Sequence, residues 1–577
     1  MAKVEKVQVQ LKLLPLLKGD VILPRVELIH PQLYLHRETT GRANWTFENT
    51  KPTNAPAGRP PKLPVVRDFL IERGELTLVD EIIHLTVDGT LQAHEKSTKD
   101  DPKAFRLEGH GTLNKQPFSL QLLGGPLINL DPQRAYPFDL QIGAGDIRVE
   151  SQGRFRKPFD LGQVSLDVNA KGNDLADLYY LTQLALPNTP PFTLRATLDR
   201  NGQLINVTQL AGTVGGSDLG GELKIDMSRK RPRINGNLVS KQLRLRDLAA
   251  SLGAQRPAVA TTAPAAATDR LFPEAHLQVE RVRAMDGDIR FEGRSIEAGS
   301  VPLKQITLHI KLDDGVLSLD PVEFQMPQGL LHGTARIDAR GKVPQTHLDV
   351  RMTRIELDQL KGKSPNATPP LGGELQARAV LDGHGDSVHA LLADANGRLV
   401  VILPHGEVRA AFAELTGINI ANGLGLLVTG DKKRAEIRCG VAQFAVNKGA
   451  MQAQNFVFDT TDVVIKGSGE IRLGPEELDL SIQGDPKKLR LARLKTPVKI
   501  GGHLLKPAIG VDAGKTLKQG AIATAIGAVI APVAAVLAFV DPGLAKDQNC
   551  SALLDSAHAE NHSPSGVPTD PSTARQP

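Results

Sequence analysis

The sequence is poor in the residues on which compact chemical sites are usually built. Only two cysteines, Cys439 and Cys550, occur in 577 residues, which excludes a disulfide scaffold and any Cys-rich zinc module. Aromatic residues make up 4%, with a single Trp, too few to furnish stacking platforms for single-stranded nucleic acid. An excess of one charge is lacking too. Lys plus Arg number 69 against 64 Asp plus Glu, and a net of +5 is too dilute over this length to argue for nucleic acid. Hydrophobic residues at 41% and charged residues at 23% exclude both a wholly disordered chain and a polytopic membrane protein. Long uncharged runs are missing with one exception, Gly520 to Val540, which is just long enough for a span of ~20 residues. It is rich in Ala and Gly and carries Pro532 in its middle. A helix buried in protein or lying on a membrane surface suits it better than a true span. The opening residues, Met1 to Val7, are no n-region leading into an apolar stretch, so no secretory signal is visible.

What is present is glycine, 54 residues of it, and an apolar period of two almost everywhere. Val7, Val9, Leu11 and Leu13 alternate with polar residues. So do Ile83, Leu85 and Val87; Val164, Leu166 and Val168; Ile306, Leu308, Ile310 and Leu312; and Leu478, Leu480 and Ile482. Each run puts one side of a strand against something apolar and leaves the other in water. Asn201-Gly202, Asp314-Gly315, Asn396-Gly397 and Lys448-Gly449 are hairpin signals. The pattern predicts an all-β-dominated protein, an elongated and curled antiparallel sheet with few helices. Short helices are expected over Asp174–Ala185, Arg244–Leu252 and Val408–Leu415, and a long apolar one over Lys515–Phe539.

Composition divides the chain. Pro- and Ala-rich linkers are expected at 50–64, 253–270 and 361–370, and a polar Pro/Ser-rich tail at 556–577. Between them lie N-terminal strands at 1–49, β repeats at 65–252 and 271–360, a C-terminal β domain at 371–513, and an apolar helix with its cap at 514–555. There is also an internal repeat. Gly221-Glu-Leu-Lys-Ile-Asp226 answers Gly333-Thr-Ala-Arg-Ile-Asp338 at an offset of 333 − 221 = 112. The same offset carries Pro232 to Pro344, and Leu243, Leu245 and Leu248 to Ile355, Leu357 and Leu360. A looser copy surrounds Gly469-Glu-Ile-Arg-Leu473. Such a unit cannot bury its apolar face alone, so copies must stack into an extended sheet.

Motifs for chemistry fail on inspection. Gly510-Val-Asp-Ala-Gly-Lys-Thr516 has three residues between its glycines where a phosphate-cradling loop needs four, and a strand-to-helix turn accounts for it. His384, Asp386 and His389 offer metal-ligand types, but no helix is expected to hold both imidazoles on one face, so they read as a solvated loop. No catalytic residue, metal or cofactor is indicated. Cys439 and Cys550 are either two unrelated thiols or, in an oxidising compartment, a bridge pinning the C-terminal helix to the sheet.

Several stretches resemble the AsmA family. Near the start, Gly19-Asp20 is followed by Leu28-Ile-His-Pro31, then Leu33-Tyr-Leu-His-Arg37, then Gly41-Arg-Ala-Asn-Trp-Thr-Phe47. Leu371 to Gly397 and Val463 to Asp512 are similar to the family's later domain, and Asp541-Pro-Gly-Leu-Ala545 with Cys550 is similar to the ending of many members. The resemblance runs from about Val7 to Leu554. It implies a Gram-negative envelope protein with a periplasmic body, anchored in the inner membrane by an N-terminal helix that is missing from this sequence. It also implies a repeating β-groove that carries phospholipid between inner and outer membrane, with partners in both membranes and among envelope proteins, and no nucleic acid. In that reading the alternating residues named above from Ile83 to Ile482 line the lipid groove, and Cys439 and Cys550 are bridged. Three readings compete with it: a closed β-sandwich scaffold with no lipid conduit, an assembly factor for outer-membrane proteins, and a hydrolase, for which no cleft constellation is found.

Overall fold

The computed structural model describes residues 2–16, 21–44, 65–96, 104–126, 135–156, 162–249, 270–272, 274, 279–299, 302–359, 371–409, 434–487, 497–511 and 545–562. They form two compact units, 1–239 and 240–577. Strands dominate both, as the alternation predicts.

In the first unit the strands hydrogen-bond in chain order, from Ala2–Gln10 to Arg233–Ser240. All the pairings are antiparallel but one. Ile22–Arg37 runs parallel to Val65–Asp80, and a parallel neighbour requires a long crossover rather than a hairpin. The second unit repeats the meander from Asp286–Gly293 to Lys506–Val511. Its one departure is the short strand Gly406–Arg409, which pairs with Leu371–His384 on one side and Arg434–Asn447 on the other. A separate two-stranded parallel ribbon joins Leu243–Arg244 to Ile296–Glu297.

The repeat is structural as well as textual. The pairing of Leu204–Val214 with Ser217–Asp226 slips between Val207 and Leu210. The pairing of Val316–Gln325 with Leu330–Asp338 slips between Leu319 and Val322, the same positions displaced by the repeat length. A β-bulge of this kind bends a strand and increases its twist, so both copies carry the same local bend. Asn201-Gly202, Asp314-Gly315 and Lys448-Gly449 are hairpin turns, each with a positive-φ glycine.

Several expectations are corrected. Asn396-Gly397 opens the strand Asn396–Leu403 instead of turning a hairpin, because a short helix, Val388–Ala393, makes the connection. Ser387 caps that helix, accepting from Ala390 N–H at 3.0 Å, a capping signal that alternation alone does not reveal. Val408 belongs to a strand, where it pairs with Ala435 and Leu371; the rest of that expected helix lies outside the described residues. Leu13 starts a one-turn helix, Leu13–Leu16, where a strand was expected. The tail does not begin at Ser556, since the helix Cys550–His562 continues through it with Ala557 fully buried. The helix expected over Asp174–Ala185 is a 3₁₀ turn, Leu175–Leu178, followed by Tyr179–Thr182, and that over Arg244–Leu252 covers Leu245–Ala249. The three linkers and the Gly520–Val540 run lie outside the described residues. No helix among the described residues is long and apolar enough to cross a membrane.

Candidate functional site

Directly opposed residues in neighbouring strands point to the same side of a sheet, so the registers assign every side chain to a face. In the second unit one row runs through Gly293, Ile306, Phe324, Leu331, Met352, Ala377, Val401, Ala442 and Phe456. Beside it lies a second, through Phe291, Leu308, Val322, Gly333, Val350, Ala379, Leu399, Phe444 and Ala453. A third runs through Ile289, Ile310, Leu319, Ala335, Leu348, Leu381, Gly397, Val446, Met451, Ile471 and Leu478. All three belong to one face, and none contains a charged residue. The opposite face carries rows such as Lys311, Ser318, Arg336, His347, Asp382 and Asn396.

The first unit is built the same way. Ala93, Phe105, Gly124, Phe138, Gly153, Leu166, Leu198, Val207 and Leu223 form one apolar row. Its glycines alternate with large side chains for a steric reason. A Cβ on Gly153 would stand 2.5 Å from Leu166 Cδ2 and 2.6 Å from Phe138 Cζ, so only glycine lets those neighbours lie flat across the strand. Phe138 stacks on Phe155 with centroids 4.3 Å apart. The other face shows Glu108, Gln121, Gln141, Glu150 and Asn169 in a row.

Most of the residues singled out by alternation stand on these apolar faces. Val87 and Ile306 are buried. Leu85, Val164, Leu166, Val168, Leu308, Ile310, Leu312, Leu478, Leu480 and Ile482 are only half-buried. Ile83 is the exception: it sits exposed in the turn before the strand Leu85–Lys96. Because so many of these residues are half-buried, the apolar face is not fully enclosed over much of its extent among the described residues.

Two covered places stand out in the second unit. Around Ala395, Ala442, Phe444, Val446, Met451 and Leu473 the apolar face is buried, with Phe272 and Leu392 packed on it. On the polar face of the same strands, Val400, Ile402 and Val441 are covered by Leu553, Leu554 and Ala557 of the C-terminal helix. That helix is fastened at both ends. Cys439 and Cys550 form a disulfide at its start. At its far end Arg378, 1% exposed at its side chain, donates to Asn561 O at 2.7 Å while bonding both oxygens of Asp349 at 2.9 and 2.7 Å. Burial alone would push Asp349 up, but the bonds from Arg378 and the charges of Arg378 and Arg351 outweigh it and hold the carboxyl below its ordinary value. Beside the disulfide, fully buried Asp459 pairs with Lys487 and Arg438 and accepts from Gln548 N–H at 3.1 Å. Both cations also reach Asp547, at 2.6 and 2.7 Å. The bond to Lys487 is the main cause that holds Asp547 below its ordinary value.

The candidate metal trio does not converge. His384 pairs with Asp394 at 2.9 Å, whereas His389 points its Nε2 at Gly474 O, 2.7 Å away. Most of the Gly510–Thr516 stretch lies outside the described residues. What alternation did not show is the polar latch, Arg378, Asp349, Asp459 and Lys487. Buried charged residues without a sequence motif give no signal until their partners are known.

The AsmA family model matches residues 73–456. Among curated proteins, the chain is 29% identical over 591 aligned positions to the AsmA family protein YhjG of Escherichia coli (strain K12), an alignment covering 96% of this chain and 85% of that protein. No solved structure matches it. With more than half its length matched by the family model, the chain belongs to the AsmA family.

Proposed function

We propose that this protein carries phospholipid acyl chains along its apolar sheet faces between the inner and outer membranes of the cell envelope, without enzymatic chemistry. The observation that carries the proposal is the unbroken apolar register, many of whose members, Leu308, Ile310, Val322, Leu331 and Val350 among them, are half-buried rather than enclosed. Each CH₂ taken out of water is worth about 0.8 kcal/mol, so a chain of ~14 carbons crossing water unaided would cost on the order of 10 kcal/mol. Rows of Leu, Val, Ile and Phe side by side replace that cost with continuous contact. Membership of an envelope family agrees with this role and with a periplasmic body. Native mass spectrometry of the purified chain is the test. Bound phospholipid is the expected result, and a lipid-free protein that takes none from vesicles would overturn it.

A second reading, assembly of outer-membrane proteins, has one observation in its favour. The strand Ala2–Gln10 is exposed throughout, with Val7 at 54% and Val9 at 52%, and pairs on one side only among the described residues. An open edge of this kind offers backbone hydrogen bonds to a client strand. Charged substitutions at Val7 and Val9 that abolish client capture but spare lipid binding would support it over the conduit.

A further inference from the structure

Around Phe444 and Met451 the apolar rows are covered by a residue from far away in sequence. Arg270, Leu271 and Phe272 bring a short segment onto the strands around Phe444 and Met451, and Phe272 lies half-buried against the cluster there. Leu271, its neighbour, stays 49% exposed, so one side chain of the segment is spent on the sheet and the next on solvent. Glu476 holds the segment. Its side chain accepts from Leu271 N–H at 2.6 Å and from Phe272 N–H at 3.0 Å. Two successive backbone donors on one carboxylate make a short, charge-assisted clamp.

Glu476 is itself in an unusual position. It is 2% exposed and has φ +59°, a left-handed conformation that a non-glycine residue adopts at some cost. The turn carrying it is tied down on two sides, by Leu504 N–H to Glu476 O at 2.8 Å and by His389 to Gly474 O at 2.7 Å. A buried, strained carboxylate with rigid surroundings is thus devoted to seating one phenylalanine ring. Beneath that ring, Phe444, Val446 and Met451 continue the rows that stay open elsewhere, at Leu308, Val322 and Ile310.

We propose that the cluster beneath Phe272 is an acyl-chain site and that Phe272 is its resident plug, occupying the place of a lipid tail until one displaces it. This rests on the conduit reading and adds where the path is closed. Phe272 suits the role because a ring and a hydrocarbon tail are interchangeable on an apolar surface. The Glu476 clamp bonds backbone only, so it sets where the segment sits without requiring any polar group on the apolar face.

Two phenylalanines on the same cross-strand row provide the test. Phe324 lies on the open part and Phe456 on the part packed with the plugged cluster. Each is replaced in turn by the photoreactive p-benzoylphenylalanine in the full chain, which is then irradiated with vesicles of phosphatidylethanolamine and phosphatidylglycerol. Capture at Phe324 with little at Phe456 is expected of the otherwise unaltered protein. Phe272→Ala should raise capture at Phe456 severalfold and leave Phe324 unchanged. Glu476→Gln, which loses one of the two acceptors, should act in the same direction more weakly. Capture at Phe324 with no response at Phe456 to Phe272→Ala, or strong capture at Phe456 before any substitution, would overturn the plug and leave the conduit standing. No capture at Phe324 in any variant would overturn the conduit itself. Melting curves identify any variant that has lost its fold, and Phe272→Leu, a smaller change, then takes the place of Phe272→Ala with the same outcomes.

Discussion

Ile306 and Leu308 are two residues apart on one strand and face the same way, yet Ile306 is 0% exposed while Leu308 is half-buried. The difference has a local cause. Gly293, opposite Ile306, is overlain by Leu243 and Ile296 of the small parallel ribbon, whose side chains would meet a Cβ there at 2.7 and 3.2 Å. Leu308 lies between Phe291 and Val322 in its row. Substituting Asp at each therefore gives different results. A fully buried Leu or Ile side chain is worth about 1.5–3 kcal/mol, so the half-buried Leu308 gives up roughly 1 kcal/mol and its carboxylate remains hydrated. Ile306→Asp gives up the whole amount and in addition buries a carboxylate without a partner, for a total of about 5 kcal/mol or more. That approaches the entire stability of an ordinary domain, ~5–15 kcal/mol. Thermal unfolding by circular dichroism should show Leu308→Asp melting only a few degrees below the parent and Ile306→Asp losing the cooperative transition of its unit. Vesicle-to-vesicle transfer of a fluorescent phospholipid should fall sharply for Leu308→Asp, because a charge now interrupts the row. Equal destabilisation by the two substitutions would show that Leu308 is enclosed, and unimpaired transfer by a folded Leu308→Asp would remove it from the path. Either result refutes the reasoning.

Removing the disulfide should be costly, since Cys439 and Cys550 are separated by 111 residues and the chain-entropy model gives about 4–5 kcal/mol for a loop of that size. Cys439→Ala with Cys550→Ala should lower the melting temperature and expose the region around Asn561 to protease, and an unchanged melting curve would contradict the estimate. Asp349 and Asp547 are both held below the ordinary carboxylate value, so the stability they contribute is present above about pH 4 and is lost as pH falls through their depressed values. Protection of the C-terminal helix against hydrogen exchange should therefore hold from neutral pH downwards and collapse only in strong acid; Arg378→Met should weaken it already at neutral pH. Gly153→Val should destabilise the first unit by several kcal/mol, because the added carbons meet Leu166 and Phe138, whereas the same change at Gly145, which has nothing within 4 Å of a Cβ, should cost only the strain of its positive φ; equal losses in calorimetry would count against the steric account.

The alternation of Ile306, Leu308, Ile310 and Leu312, and of Val164, Leu166 and Val168, determined both the strands and the face each side chain takes, because a period of two is a local property of the extended chain. The turns at Asp314-Gly315 and Lys448-Gly449 and the repeat carrying Gly221 to Gly333 were legible for the same reason. Ile83, which continues the alternation but lies in a turn, shows where a local rule stops: the strand begins where a pairing partner does, and Leu85 is the first residue to have one. The residues alone left open whether Cys439 and Cys550 pair, which only the family resemblance led one to expect, and they left open the depth of each apolar residue. Only the tertiary structure separates buried Ile306 from half-buried Leu308, seats Phe272 on Glu476 from 204 residues away, and sets Arg378 beneath Asn561. These depend on which distant segments are brought over a given stretch of sheet, and the energies that decide it are shared between residues whose separation in sequence carries no periodic trace.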